Sequence, residues 1–205
     1  HLNQRSEMLS GISHDLRTPL TRMKLQLSFI KDKEISLRLS DDINEMEKML
    51  NEYLQFTSSS HSEKNETFNL SNLLNETIDK YENENISKNL SQNILINGRK
   101  NLLKRCLNNI IDNGLKYGKK IDVELNKNGK NIFITIGDNG PGIPLSEYEN
   151  VFKPFYKIDK GRGEKKSSVG LGLSIASDII RSHGGHITLD KSSLNGLCLL
   201  YTSDA

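Results

Sequence analysis

The sequence predicts a multidomain protein of α and α+β class: an antiparallel helical hairpin that pairs into a dimeric four-helix bundle, followed by an α/β sandwich. Three observations predict it. A seven-residue apolar repeat runs through the first 57 residues, a polar stretch without periodicity follows, and helical and period-two patterns then come in blocks. Apolar residues that recur every three to four positions mark a helix face, and strict alternation marks a half-buried strand.

In the first helix Leu9, Leu16, Met23 and Ile30 repeat every seven residues, with Ile12, Leu20 and Leu27 between them. "KDKEIS" breaks the pattern. In the second helix Leu39, Ile43, Met46, Leu50 and Tyr53 are spaced 4-3-4-3. This is the seam of knobs-into-holes packing. One hairpin holds too little core to stand alone, so a homodimer forming a four-helix bundle is expected. The hairpin is assigned to 1–58, "TSSSHSEKNET" contains a linker at 59–66, and the second domain runs from 67 to 205.

In that second domain "NLSNLLNETIDKY" reads as a helix capped by Ser71. "NILING" is a short strand, and "NLLKRCLNNIIDNGLKYG" is an amphipathic helix ending at Gly118. "KIDVEL" and "NIFITIGD" alternate on either side of Asn128-Gly129, a hairpin signal. "SVGLGLSIASDIIRSHGG" is a glycine turn entering a helix, and "HITLD" and "GLCLLY" are closing strands. "YTSDA" does not read as part of that closing strand. Helices on one face of a mixed sheet follow from these blocks.

Composition narrows the function. Lys and Arg exceed Asp and Glu by 28 − 26 = 2, so a nucleic-acid partner, which needs a basic face, is not expected. Cys106 and Cys198 form no CxxC pair, which argues against a disulfide framework and for a reducing compartment. No apolar run approaches the roughly 18 residues of a membrane helix. The chain begins at His1 rather than Met. It is read as a fragment, which leaves room for membrane segments upstream.

Several clusters carry chemistry. His14 lies about 200° around the helix from Ile12 and about 160° from Leu16, outside the seam. Asp15 beside it can hold one imidazole proton and leave the other nitrogen nucleophilic, and Pro19 can kink the helix just beyond. In "DNGPGIP", Asp138 ends a strand and can accept a bond from an exocyclic amine, while Gly140 and Gly142 let backbone approach a flat ligand. In "GLGLS", Gly170, Leu171 and Gly172 open a helix, whose free N–H groups cradle phosphate. No third glycine completes GxGxxG, since Leu145 and Ile175 stand there, so the dinucleotide fingerprint fails. "GRGEKKSS" has neither the spacing nor the preceding strand of a P-loop. It reads as a basic segment able to close over polyphosphate, with Lys157, Arg162, Lys165 and Lys166 as charges. Asn109 and Asn113 share a helix face, where amide oxygens can ligate Mg²⁺ alongside phosphates. Lys116 lies a turn further. His183 and His186 flank Gly184-Gly185 without a third metal ligand, so a helix-ending turn is the better reading.

Together these motifs resemble those of bacterial two-component sensor histidine kinases of the osmosensing EnvZ type. "SHDLRTPLTR" resembles the H-box, "NNIIDNGLKYG" the N-box, "DNGPGIP" the G1 box, "VFKPFYK" the F-box and "SVGLGLSIA" the G2 box, in the family's order. The resemblance implies a HisKA dimerisation and phosphoacceptor domain followed by a Bergerat-type (GHKL, HATPase_c) ATP-binding sandwich. It implies ATP and Mg²⁺ as cofactors, a homodimer, an OmpR-like response regulator as partner, and anchorage of the full-length protein at the inner membrane. His14 is then phosphorylated, Asp15 is its base, and Thr18 helps position water for removing phosphate from the regulator. Asn113 ligates Mg²⁺ with Asn109 near the phosphates. Lys116 and Tyr117 line the nucleotide, Asp138 binds the adenine amine, and Gly140 and Gly142 shape that pocket. Lys157 begins a lid that ends at Gly170 and Gly172. Three departures stand out: Gly114 where the family usually has Ala, Ser168-Val169 where Gly-Thr is common, and the ending "YTSDA".

Two rival functions remain at this point. A GHKL-type ATPase carries a water-activating glutamate four residues before the metal-binding asparagine. Here that position is Asn109, which cannot take a proton. A catalytically dead dimeric scaffold that only binds a response regulator is the other.

Overall fold

The structure, a computed structural model, describes residues 18–81, 84–158, 170–194 and 196–204. The chain divides into two compact units, one of His1–Ser62 with Ser167–Leu171, the other of Glu63–Lys166 with Gly172–Ala205.

The helical unit contains α1 (18–27) and α2 (Lys33–Ser62). Asp32 starts α2: its Oδ1 accepts from the N–H groups of Glu34 and Ile35 at 3.0 and 3.2 Å. This is N-capping by a short polar side chain. Ser36 Oγ donates to the Leu27 carbonyl, and Lys24 pairs with Glu47 at 2.7 Å. These two contacts move in opposite directions along the chain, as an antiparallel hairpin requires. Leu20 and Ile43 are buried. The seam residues Met23, Leu39 and Met46 stay exposed at 45%, 40% and 43%.

Of the linker expected over 59–66, residues 63–65 lie outside helix and strand. α2 continues through Ser62 and the next strand begins at Glu66. "TSSSHS" contains neither Gly nor Pro, and serine lowers helix propensity by only a fraction of a kcal/mol per residue. Nothing in that stretch stops the helix.

The mixed unit opens with β1 (Glu66–Asn69) and α3 (Leu70–Ile78), followed by β2 (Ile86–Leu90), β3 (Leu95–Gly98) and α4 (Lys100–Tyr117). The hairpin β4 (Ile121–Asn128) and β5 (Asn131–Asp138), then α5 (Gly172–Arg181), β6 (His186–Lys191) and β7 (Leu197–Asp204) complete it. The main sheet has strand order β2-β4-β5-β7-β6, parallel between β2 and β4 and antiparallel elsewhere, while β1 and β3 pair apart from it. Val123 faces Ile136 and Leu125 faces Ile134 across the hairpin, all four buried. Opposed residues of an antiparallel pair share a face. That face meets the apolar stripes of α4, with Leu103, Leu107 and Ile110, and of α5, with Ile180. This is the expected helical layer on one face of a mixed sheet.

Three local readings change. Asn69, not Ser71, caps α3, accepting from Asn72 N at 3.1 Å. Ser71 lies inside the helix, buried, donating to the Ser91 carbonyl and accepting from Ile94 N. "ISKNL" forms β2, a strand the alternation did not reveal because it pairs on one side only and three of its five residues are exposed. The ending is in the sheet: β7 runs through Asp204, which lies opposite Asn131. Backbone pairing with β5 and β6 holds it there despite its weak apolar pattern.

Candidate functional site

The site gathers around α4 and the end of β5. α4 has no cap from Arg99, its own N-cap residue. Instead the Glu63 carboxylate, distant in sequence, accepts from Asn101 N at 2.6 Å and Leu102 N at 3.1 Å. Leu102, Leu103, Cys106, Leu107, Ile110 and Ile111 are buried. Asn109, Asn113 and Lys116, spaced four and three apart, lie on the half-buried side. Among the described residues Asn109 Nδ2 is buried with no hydrogen-bond partner, an orphan donor that a ligand can satisfy. Lys116 Nζ stands 5.6 Å from the Tyr117 ring centroid, and Tyr117 is 43% exposed.

Asp138 ends β5 and is 9% exposed. Its Oδ1 accepts from Gly140 N at 2.7 Å and from Leu197 N at 3.3 Å. Oδ2 takes no hydrogen bond among the described residues. Burial raises the carboxyl pKa, and the two N–H bonds pull it back down. A Cβ at Gly140 would lie 2.9 Å from both Asp138 Oδ1 and the Tyr117 carbonyl. Gly142 has φ +69, a conformation that favours glycine. Ile110, Asn113, Gly114, Ile136, Asp138, Leu173 and Leu197 line one small cavity. Gly172, the first residue of α5, lies 3.9 Å from the Asn109 carbonyl when given a Cβ.

The structure therefore brings Asn113 and Asp138 together on one cavity, with Gly140 against the carboxylate and Gly172 beside Asn109. Lys116, Tyr117 and Lys157 do not line that cavity, and Lys157 is exposed. Gly170 precedes α5, and Leu171 is buried. Thr18 is exposed at the start of the described part of α1. His14, Asp15, Arg162, Lys165, Lys166 and Ser168-Val169 lie outside the described residues. His183 takes a structural role: Nε2 accepts from Arg99 N at 3.0 Å and Nδ1 donates to the Ile179 carbonyl at 2.7 Å.

For Mg²⁺ the donor set fits. Among the described residues no group of three His, Cys, Asp or Glu could hold a metal, so a tight all-protein cage is absent there. Amide oxygens on α4 suit a hard cation that takes most of its ligands from phosphates and water.

Sequence reading missed four residues here. Gly196 and Leu197, read only as a strand, close against Asp138. Asn139 Oδ1 accepts from Lys119 N and Lys120 N at 2.7 and 2.8 Å, tying the start of β4 to the pocket. Glu63 caps α4. The "DNG" triplet signalled Asn139 as a turn residue; the others have no local signal.

Residues 98–202 match the histidine kinase-, DNA gyrase B- and HSP90-like ATPase family. Residues 4–62 match the His Kinase A (phospho-acceptor) domain. The chain belongs to the two-component sensor histidine kinases. It is 32% identical over 200 residues to the sensor histidine kinase GtrS of Pseudomonas aeruginosa, covering 96% of this chain and 41% of GtrS. It is 33% identical over 216 residues to the sensor histidine kinase CpxA of Escherichia coli, covering 97% and 47%. The chain thus spans less than half the length of either relative. The catalytic domain of histidine kinase ThkA superposes with a TM-score of 0.61 at 24% identity, over 69% of this chain and 95% of that domain, a likeness of fold.

Proposed function

We propose that this chain is the kinase portion of a sensor histidine kinase, using ATP to phosphorylate His14 and passing the phosphoryl group to an aspartate of an OmpR-like response regulator. The observation that carries the reading is the phospho-acceptor match around His14 ahead of an ATP-binding match whose α4 offers Asn109 and Asn113 and no glutamate at position 109. Transfer needs positioning and charge neutralisation more than covalent chemistry.

In this reading Asp138 Oδ2 accepts from the adenine amine, and Gly140 and Gly142 admit the ring. Tyr117 and Lys116 border the nucleotide. Asn109 donates to phosphate through its orphan Nδ2, and Asn113 Oδ1 holds Mg²⁺. Lys157 and the Gly170–Gly172 turn face the phosphates. Bound Mg²⁺ supplies neutralisation of the polyphosphate charge. A His14 nitrogen attacks the γ-phosphorus, so an N–P bond forms as the bond to the departing ADP oxygen breaks. Asp15 takes or holds the proton on the other nitrogen. Thr18, exposed on α1, orients water for the reverse, phosphatase reaction. Met23, Leu39 and Met46 become buried in a homodimer, and we place the domain boundary between Ser62 and Glu63. The membrane anchorage and cytoplasmic location implied by the family resemblance belong to the same proposal; among the described residues no helix is long and apolar enough to cross a membrane.

Incubation of the full chain with Mg²⁺ and γ-labelled ATP tests it. Acid-labile label on the protein that disappears in His14→Gln supports the kinase. Free phosphate without labelled protein supports an ATPase, and bound nucleotide with neither product supports a scaffold.

A further inference from the structure

The turn between β6 and β7 comes closer to Asp138 than any side chain at its apex would allow. Gly196 N donates to the Asp138 carbonyl at 3.1 Å, and the next residue, Leu197, donates to Asp138 Oδ1 at 3.3 Å. A Cβ at Gly196 would lie 2.2 Å from Asp138 Oδ1, 2.4 Å from its carbonyl oxygen and 2.6 Å from Gly140 N. No real Cβ approaches heavy atoms so closely, and two of those atoms are backbone that cannot swing away. The turn is anchored behind this contact. Ser192 N donates to the Gly196 carbonyl at 2.9 Å, and the buried Ser192 Oγ accepts from Leu194 N at 3.0 Å. Gly137, the residue before Asp138, gives way to the same hydroxyl: its Cβ would sit 2.6 Å from Ser192 Oγ.

We propose that Gly196 is a positioning residue for purine recognition, letting the β6–β7 turn clamp Asp138 Oδ1 so that Oδ2 alone is offered to an exocyclic amine. The inference rests on the adenine-binding reading of Asp138 given above. Two N–H groups, from Gly140 and Leu197, hold one oxygen, so the carboxylate cannot rotate to present the occupied oxygen or to turn its open one away. A pocket whose polar group is fixed and buried rejects a ligand that leaves it unpaired. Discrimination between a purine with a 6-amino group and one without it therefore depends on the turn, although Gly196 touches no ligand itself.

The test compares Mg²⁺-dependent binding of ATP and of purine riboside 5′-triphosphate, which lacks the 6-amino group, to the full chain. The unmodified protein is expected to favour ATP. Gly196→Ala displaces the carboxylate, and the preference falls by about tenfold or more, the scale of one hydrogen bond to a charged group, while purine riboside triphosphate affinity changes little. A fold defect alone would weaken both nucleotides in parallel, and that result overturns the proposal, as does an unchanged preference. If Gly196→Ala does not unfold cooperatively, Ser192→Ala serves instead. It loosens the turn from behind and is expected to reduce the preference by a few fold, and an unchanged preference there also overturns the proposal. Failure of the underlying reading looks different, because the unmodified protein would then not distinguish the two nucleotides.

Discussion

Asp138→Asn separates nucleotide recognition from folding. The amide keeps a carbonyl oxygen at Oδ1, where Gly140 N and Leu197 N donate at 2.7 and 3.3 Å, so the pocket wall retains both bonds. At Oδ2 an acceptor becomes an NH₂ donor, which meets the adenine amine donor to donor. One hydrogen bond to a charged acceptor is lost, at about 1.5–3 kcal/mol, and two donors are left facing each other. ATP affinity should fall by roughly tenfold to somewhat over a hundredfold, since each 1.4 kcal/mol is about tenfold. Stability should move the other way or stay put. Burial disfavours the ionised carboxylate, which is why its pKa is raised, and a neutral amide escapes that cost. Isothermal titration with ATP, paired with thermal unfolding in its absence, reads both quantities. ATP affinity within threefold of the parent, or an affinity loss that merely tracks a large drop in melting temperature, refutes the assignment of Oδ2 to the adenine.

Three further outcomes are expected. Glu63→Ala uncovers Asn101 N and Leu102 N at the start of α4, costing about 0.5–2 kcal/mol as the loss of a cap does; a denaturant midpoint equal to the parent's would refute a capping role. His183 is held neutral because its Nε2 accepts from Arg99 N, and burial lowers its pKa below the ordinary 6.5. Its contribution to stability is therefore complete above about pH 6.5 and is lost as pH falls through the lowered folded value; in His183→Gln the dependence on acid between pH 7 and 5 should flatten, and an unaltered curve contradicts it. Thr18→Ala should leave labelling of His14 intact while slowing dephosphorylation of the response regulator, and a variant that no longer autophosphorylates would contradict that division of roles.

Much of this protein was legible in order of sequence. The heptad seam announced the hairpin because knobs-into-holes packing demands a fixed repeat. The alternation of "KIDVEL" and "NIFITIGD" announced β4 and β5 because one face of each strand is buried. Asp138, Gly140, Asn109 and Asn113 stood out because their chemistry and spacing are local. What failed were readings in which a local signal competes with a distant partner. Ser71 looks like a cap, yet Asn69 wins it, and Ser71 instead bonds to Ser91 and Ile94, twenty and twenty-three residues away. "TSSSHS" looks like a linker, yet without Gly or Pro nothing stops α2.

The sequence by itself marked out the candidate site residues and the elements on which those within the described residues ride. Periodicity and residue type are properties of neighbours along the chain. Tertiary structure alone decided what holds those residues in place. Glu63 reaches α4 across 38 positions, and the β6–β7 turn reaches Asp138 across 59. Hydrogen bonds and steric exclusion act over about three ångströms of space whatever the separation in sequence. A glycine whose role is to leave room beside a carboxylate therefore reads as the first residue of a strand until the fold shows what stands next to it.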